Sequence, residues 1–188
     1  PPDDMRRYKY WPKNYDGKYL GPIDLTTAMS ESVNTVPVKL AAEIGIQNVV
    51  KLATALGVTS KLTPNLSLAL GSSEVSLLDL TSSYAGFLNL GYSVFPIGWT
   101  KLSLKNTGET VITATEHGNE RVMSKAAAKA LIGMLREVVD SGTGRRAKIE
   151  DWEIAGKTGT SQDSRDAWFV GFTSEYVAGV WIGYDDNS

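Results

Sequence analysis

Residues 153–159, 166–172 and 176–184 are three consecutive strand-like runs, separated only by short polar or turn-forming stretches. Almost everything before them has the spacing of helices. This order constrains the fold more than any other feature. Runs joined by short turns pair as antiparallel neighbours, because a parallel pair needs a crossover of a dozen or more residues. The apolar stripes of the upstream helices then need a surface to cover. The expected fold class is α+β, an antiparallel sheet flanked by helices.

The helices announce themselves by caps and stops. Asp24 suits the N-cap of a short helix through Met29, and a break follows at Ser30-Glu31-Ser32-Val33-Asn34. Pro37 fits the first turn of a helix that runs to Ile44 and stops at Gly45. Residues 47–56 carry Val50, Ala53 and Leu56 at helical spacing, with Gly57 as the stop. Ser76, three residues before Asp79, resembles a capping box opening a helix with Leu77, Leu80, Tyr84, Phe87 and Leu88, which ends at Gly91. Residues 97–104 and 110–115 read as a hairpin around Asn106-Thr107-Gly108. Residues 124–139 form the clearest helix, with Ala127, Leu131, Leu135 and Val138 on one face and Gly142-Thr143-Gly144 at its end. Residues 1–23, rich in Pro, Tyr, Trp and charge, read as an extended lead-in, leaving 24–188 as the folded domain.

Composition removes several function classes. A net charge of −2 over 188 residues gives no reason to expect nucleic acid or an anionic membrane as partner. The chain has no Cys and a single His, His117, so thiolate chemistry is excluded and a zinc site of the usual kind is not expected. No cofactor is implied. No apolar run is long enough to span a bilayer.

Two short patterns bear chemistry. Lys157-Thr158-Gly159-Thr160 lies in the first of the three strand runs. Lys157 offers a compact cation, and Thr158 and Thr160 offer hydroxyls. Gly159 has no side chain, so a substrate backbone can come close and pair as an added strand. Such a set is a receptor for a carboxylate. The competing bland reading is a solvated lysine at a strand edge. A phosphate loop is disfavoured, since the Walker pattern needs a glycine where Asp151 stands and should open a helix rather than a strand. The second pattern is Ser32-Val33-Asn34, in the break between two helices. Taken alone, these residues read as caps for the helix near Pro37. Presented together into a cleft, Ser32 would relay a proton and Asn34 would pair with a substrate amide.

The two patterns in this order are two of the three motifs of penicillin-binding proteins and serine β-lactamases. Further stretches narrow the match: Trp11-Pro-Lys-Asn-Tyr-Asp-Gly, Gly21-Pro-Ile-Asp-Leu, Leu68-Ala-Leu-Gly-Ser-Ser-Glu-Val, Val138-Val-Asp-Ser-Gly-Thr-Gly and Asp166-Ala-Trp-Phe-Val-Gly. Over essentially its whole length the chain resembles the transpeptidase domain of class A penicillin-binding proteins. The resemblance implies serine acyl transfer on peptidoglycan stem peptides ending in D-Ala-D-Ala, and β-lactam binding. It implies that Lys157 and Ser32 share a charge network and that Thr158 and Thr160 bind the terminal carboxylate. Thr160 would also supply a backbone oxyanion donor, and Asn34 would contact the substrate amide. The implied location is the outer face of the bacterial cytoplasmic membrane, with a glycosyltransferase domain and membrane anchor outside this chain.

The third motif, Ser-x-x-Lys, is missing: none of the lysines has a serine three residues before it. The resemblance places that motif before residue 1, so the chain is expected to be a partial domain, inactive alone, whose nucleophile belongs to an N-terminal part or a second polypeptide. Two alternatives stand beside this reading: a non-catalytic module of the same fold that senses wall peptide or β-lactam, and a β-lactamase. Of the remaining residues, His117 and Arg145-Arg146 are expected in solvated loops, Asp166 in an exposed turn, and Trp152 and Trp168 in the core.

Overall fold

The computed structural model describes residues 12–114, 118–161 and 165–184. Five helices precede or flank the sheet: α1 (Leu25–Ser30), α2 (Thr35–Ile44), α3 (Ile46–Ala55), α4 (Leu77–Leu88) and α5 (Lys125–Asp140). The main sheet holds β5 (Ala155–Thr160), β6 (Ala167–Phe172) and β7 (Val177–Ile182) in the order β5-β6-β7, antiparallel throughout. Two small ribbons complete the fold: β1 (Tyr92–Val94) with β4 (Gly118–Arg121), and β2 (Lys101–Ser103) with β3 (Thr110–Thr113). The α+β expectation holds.

Register decides which sheet residues face the helices. Ala155, Lys157 and Gly159 lie opposite Phe172, Val170 and Trp168, which lie opposite Val177, Gly179 and Trp181. Successive strand residues point to opposite faces, so these nine share one face. Against its lower end, Leu135 of α5 joins Ala155 and Phe172, with Tyr84, Phe87, Leu88 and Leu131 packed around them. Gly179 lets α4 come close, since a Cβ there would lie 3.1 Å from Leu77 and run into Thr81. On the opposite face Phe169 lies over Gly156 and Gly171, where a Cβ would fall 2.7 Å from its ring. Val180 and Ile182 on that face are 52% and 69% exposed, so among the described residues the helices cover one side of the sheet.

The caps form largely as the sequence suggests. Asp24, Ser76 and Ser124 each accept a backbone N–H three residues on, from Thr27, Asp79 and Ala127. The capping box is only half made, however. Asp79 does not return to Ser76. One of its carboxylate oxygens accepts from the N–H and hydroxyl of Thr59 (2.8 and 2.9 Å) and of Ser60 (both 3.1 Å). Burial works to raise the Asp79 pKa, but these four donors outweigh it and hold the carboxyl below its usual value. A carboxylate with a lowered folded pKa stabilises above its unfolded value, and that contribution fades as pH falls through the folded one. Asp79→Asn should therefore cost about 1–2 kcal/mol at neutral pH, allowing for solvent screening at this open site. Urea melts should show that difference closing in acid; a gap that stays constant with pH would contradict the assignment.

Two other expectations need correction. In α5 the expected Leu131, Leu135 and Val138 do face the core, but Ala128 rather than Ala127 is buried with them, as is Val139. The hairpin strands are shorter than predicted: the ribbon runs on past Lys101 only through the Ala114 N–H, which donates to the Thr100 carbonyl (2.9 Å), and residues 97–99 lie in no strand. The β1–β4 ribbon, with its irregular register, was not visible in the sequence, since strands this short carry no period. His117, Trp11 and the rest of the lead-in before residue 12 lie outside the described residues. Residues 12–24 contain no helix or strand.

Candidate active site

Ser32 is placed by the way α1 ends. After Ser30, Glu31 caps the helix, the Ser32 N–H donates to the Met29 carbonyl (3.2 Å), and the Val33 N–H donates to that of Ala28 (2.9 Å). These bonds, with Val33 and Ala28 both buried, make a Schellman termination. The residue after the cap must take a left-handed conformation there, and glycine is usual. Here it is Ser32, at φ +56°. A non-glycine side chain in that region is strained, and strain of this kind persists where the surroundings enforce it. The capping reading therefore fails for Ser32, which closes α1 rather than opening α2. Asn34 holds the N-cap position of α2 without capping it through its side chain. Instead the Asn34 Nδ2 donates to the Lys13 carbonyl (2.8 Å), while Asn14 Oδ1 accepts from the Thr35 N–H (3.3 Å). The segment before α1 is thus bound to the Ser-x-Asn turn.

Lys157 comes to the same place from the sheet. Its Nζ lies 2.5 Å from the Ser32 Oγ and donates to the Thr158 carbonyl at 3.0 Å. Lys157 is on the helix-facing side of β5, and burial lowers its pKa below the ordinary lysine value of 10.5. An ammonium that binds its proton less tightly, in contact with a hydroxyl, is suited to passing a proton through that hydroxyl.

β5 is an edge strand, which leaves half of its backbone groups available. The Ser161 N–H donates to the Asp166 carbonyl (3.1 Å), closing the turn to β6. Antiparallel ladders alternate, so the N–H groups of Lys157 and Gly159 also point to β6, and those of Thr158 and Thr160 point to the open edge. Gly159 keeps that edge low, with a Cβ there meeting Trp168 at 3.3 Å. An extended chain could pair along this edge, beside the Thr158 and Thr160 hydroxyls, with Lys157 and Ser32 at its end.

The loop after α5 ties the two walls together. The Thr143 N–H donates to the Ser30 carbonyl (3.0 Å), and the Thr143 Oγ1 lies 2.9 Å from the Thr158 Oγ1. Gly142 packs so closely on Ser30 that a Cβ would lie 2.9 Å from both its carbonyl carbon and its Cβ. In the sequence Gly142-Thr143-Gly144 reads as a helix stop and as part of a stretch of family resemblance, not as a bridge between two walls. Arg145 and Arg146 form a short exposed 3-10 turn beyond it, and with Glu31 and Thr143 they line an open cleft of about 240 Å³ beside Ser32.

Outside this constellation, Asp166 is more than an exposed turn. Its Oδ1 accepts from Trp181 Nε1 (2.9 Å), and its N–H donates to the Ser161 Oγ (2.9 Å). Trp168 packs against Trp181 at 6.1 Å between ring centroids. Trp152 is not a core residue. It is 49% exposed, in a shallow depression with Leu88, Ile132 and Phe172 away from Lys157. Asp151, just before it, sits at φ +64°, a turn that carries the side chain outward.

Helices on one face of an antiparallel sheet, with a lysine of the edge strand touching a serine between helices, define the penicillin-binding transpeptidase fold. The family model for the penicillin binding protein transpeptidase domain matches residues 2–184, and the chain belongs to that family. It is 43% identical over 183 residues to penicillin-binding protein 1A of Aquifex aeolicus, covering 97% of this chain and 25% of that protein. Among solved structures, penicillin-binding protein 1A from Haemophilus influenzae superposes with a TM-score of 0.83 at 25% identity, over 95% of this chain and 32% of that one. PonA1 from Mycobacterium tuberculosis shares the fold with a TM-score of 0.83, over 94% of this chain and 51% of that one. The chain thus spans about a quarter of the length of the curated relative it matches.

Proposed function

We propose that this chain forms the carboxylate-binding and proton-relay half of a peptidoglycan D,D-transpeptidase. The observation that carries the reading is the contact between Lys157 and Ser32, 125 residues apart in sequence, at the open end of an edge strand. The parent protein cross-links stem peptides ending in D-Ala-D-Ala, and penicillins occupy the same cleft. It works in the bacterial envelope, on the outer face of the cytoplasmic membrane. Among the described residues no helix is long and apolar enough to cross it.

In this reading the donor peptide lies along β5. Its terminal carboxylate meets the Thr158 and Thr160 hydroxyls near the Lys157 cation. The Asn34 amide holds the substrate amide. The hydroxyl of a serine in a Ser-x-x-Lys motif elsewhere in the parent protein attacks the carbonyl of the penultimate D-Ala, its proton passing to the lysine of that motif. The Thr160 N–H, on the open edge, stabilises the developing oxyanion. The amide C–N bond then breaks, and the leaving D-Ala nitrogen takes a proton from the Ser32 hydroxyl, which Lys157 replenishes. An amine of a neighbouring stem peptide attacks the resulting ester, forming the cross-link and releasing the serine.

The experiment compares the full-length parent with residues 1–188 alone, using a fluorescent penicillin and a denaturing gel. The parent should carry a covalent label and release D-Ala from a D-Ala-D-Ala pentapeptide. The 188-residue segment should remain unlabelled, since none of its lysines completes Ser-x-x-Lys. An unlabelled parent would sink the proposed activity, and a labelled segment would place the nucleophile within these residues.

A further inference from the structure

The loop after α5 reaches both functional walls through two groups of one residue, its backbone N–H and its side-chain hydroxyl. The backbone of Thr143 holds the Ser-x-Asn turn, with its N–H on the Ser30 carbonyl at 3.0 Å. Its side chain holds the Lys-Thr-Gly strand, with its Oγ1 on the Thr158 Oγ1 at 2.9 Å. The loop is itself rigidly seated. The Gly142 N–H donates to Glu137 O (3.1 Å), the Gly144 N–H to Val138 O (2.9 Å), and the Ala147 N–H to Gly144 O (2.8 Å). Val138 is fully buried, so these bonds anchor the loop to the core rather than to a fraying helix end.

We infer that Thr143 is a positioning residue that orients the Thr158 hydroxyl toward the substrate carboxylate; this rests on the transpeptidase reading above. A threonine hydroxyl has one proton to give and rotates freely unless something fixes it. To bind a carboxylate, Thr158 must donate, and its oxygen is then available to accept. Thr143 is the neighbour placed to supply that proton. With Thr143 donating, Thr158 is left with its own O–H directed to the open edge of β5. A donor fixed before the ligand arrives has less orientational freedom to lose on binding. Chains of hydroxyls also polarise one another, which strengthens the terminal donor.

The test uses the full-length parent and two acylating probes, a fluorescent penicillin and its methyl ester. The ester keeps the reacting lactam and lacks the carboxylate charge. Thr143→Val removes the hydroxyl and keeps the shape and the backbone N–H. Its acylation rate by the free acid should fall roughly 5- to 20-fold, the range of one oriented hydrogen bond, with a several-fold smaller fall for the ester. Thr143→Ser should restore the acid rate. Thr158→Val should remove the same preference, and the double variant should be no worse than Thr158→Val alone, because the two hydroxyls act in series. Should Thr143→Val fold poorly, Thr143→Ala is read the same way. An acid rate equal to the parent's, or parallel losses on both probes, would overturn the inference and leave the transpeptidase reading intact. A parent that acylates with neither probe would remove both.

Discussion

Replacing Lys157 with Met in the full-length protein is expected to lower penicillin acylation by roughly 10²–10⁴, the usual worth of a positioned proton-transfer group, without lowering stability. The two halves of this expectation share a cause. The Lys157 Nζ is drawn out of water beside Ser32, and desolvation lowers its pKa. Its proton is thus held less tightly in the folded chain than in the unfolded one. Between the depressed folded value and the ordinary 10.5, the unfolded chain carries a proton the folded chain has lost, so stability rises with pH across that window. Below it, the buried ammonium works against folding. Methionine fills a similar volume with no charge to desolvate. The variant should therefore melt at the parent's temperature or above it near neutral pH, and should lose the rise on the alkaline side. Lys157→Arg should not recover the activity, since a planar guanidinium cannot replace a compact ammonium against the Ser32 oxygen. In the parent, the alkaline limb of the acylation profile should fall at a lower pH than an ordinary lysine would give. A Lys157→Met protein that acylates within tenfold of the parent would remove Lys157 from the chemistry. A drop of many degrees in its melting temperature would show that Lys157 supports the fold instead.

The sheet and most helices were legible because their signals are local and repeated. Three strand-like runs with short turns leave little freedom in topology, and Asp24, Ser76 and Ser124 cap the helices they appear to cap. The placing of Lys157 to Thr160 was legible for the same reason, since they are contiguous in one strand run, which forms the edge strand β5. What escaped depends on contacts distant in sequence. Asp79 sits at a capping-box position, yet its carboxylate serves Thr59 and Ser60, twenty and nineteen residues away. Ser32 looked like an N-cap because serine is favoured there. A left-handed serine closing the previous helix contradicts its usual preference, and such local contradictions tend to fall at functional sites. Gly142-Thr143-Gly144 read correctly as a helix stop, but the tripeptide does not name Ser30 and Thr158 as the partners it bridges. A signal was present in retrospect: two glycines around one threonine exceed what stopping a helix needs, and a close backbone approach is the other use of glycine.

That close approach makes Gly142→Ala a small substitution with a large expected effect on acylation, although it lies outside the reacting groups themselves. The added methyl would meet the carbonyl of Ser30 and lie 2.9 Å from its carbonyl carbon and Cβ. None of these is the mobile end of a side chain. Ser30 is 5% exposed, and its carbonyl receives the Thr143 N–H, so it has no room to retreat. Relief requires that the end of α1 and the α5 loop move apart. Ser32 is two residues from Ser30, in a strained conformation that only its surroundings maintain. Separating the two elements by about an ångström would carry its Oγ away from Lys157, and a misplacement of that size can cost roughly 10²-fold in rate. Overpacking of this kind also costs about 1–3 kcal/mol. Gly142→Ala is therefore expected to keep its helical signal and a cooperative melt a few degrees lower, while acylating about a hundred times more slowly. Gly133→Ala is the control: it lies in α5, where a Cβ meets nothing within 4 Å, and alanine favours the helix. It should match the parent in rate and melt no lower. A Gly142→Ala protein acylating within threefold of the parent would show that the Ser30–Gly142 contact does not position Ser32. Equal losses in the two alanine variants would assign the effect to α5 as a whole rather than to this contact.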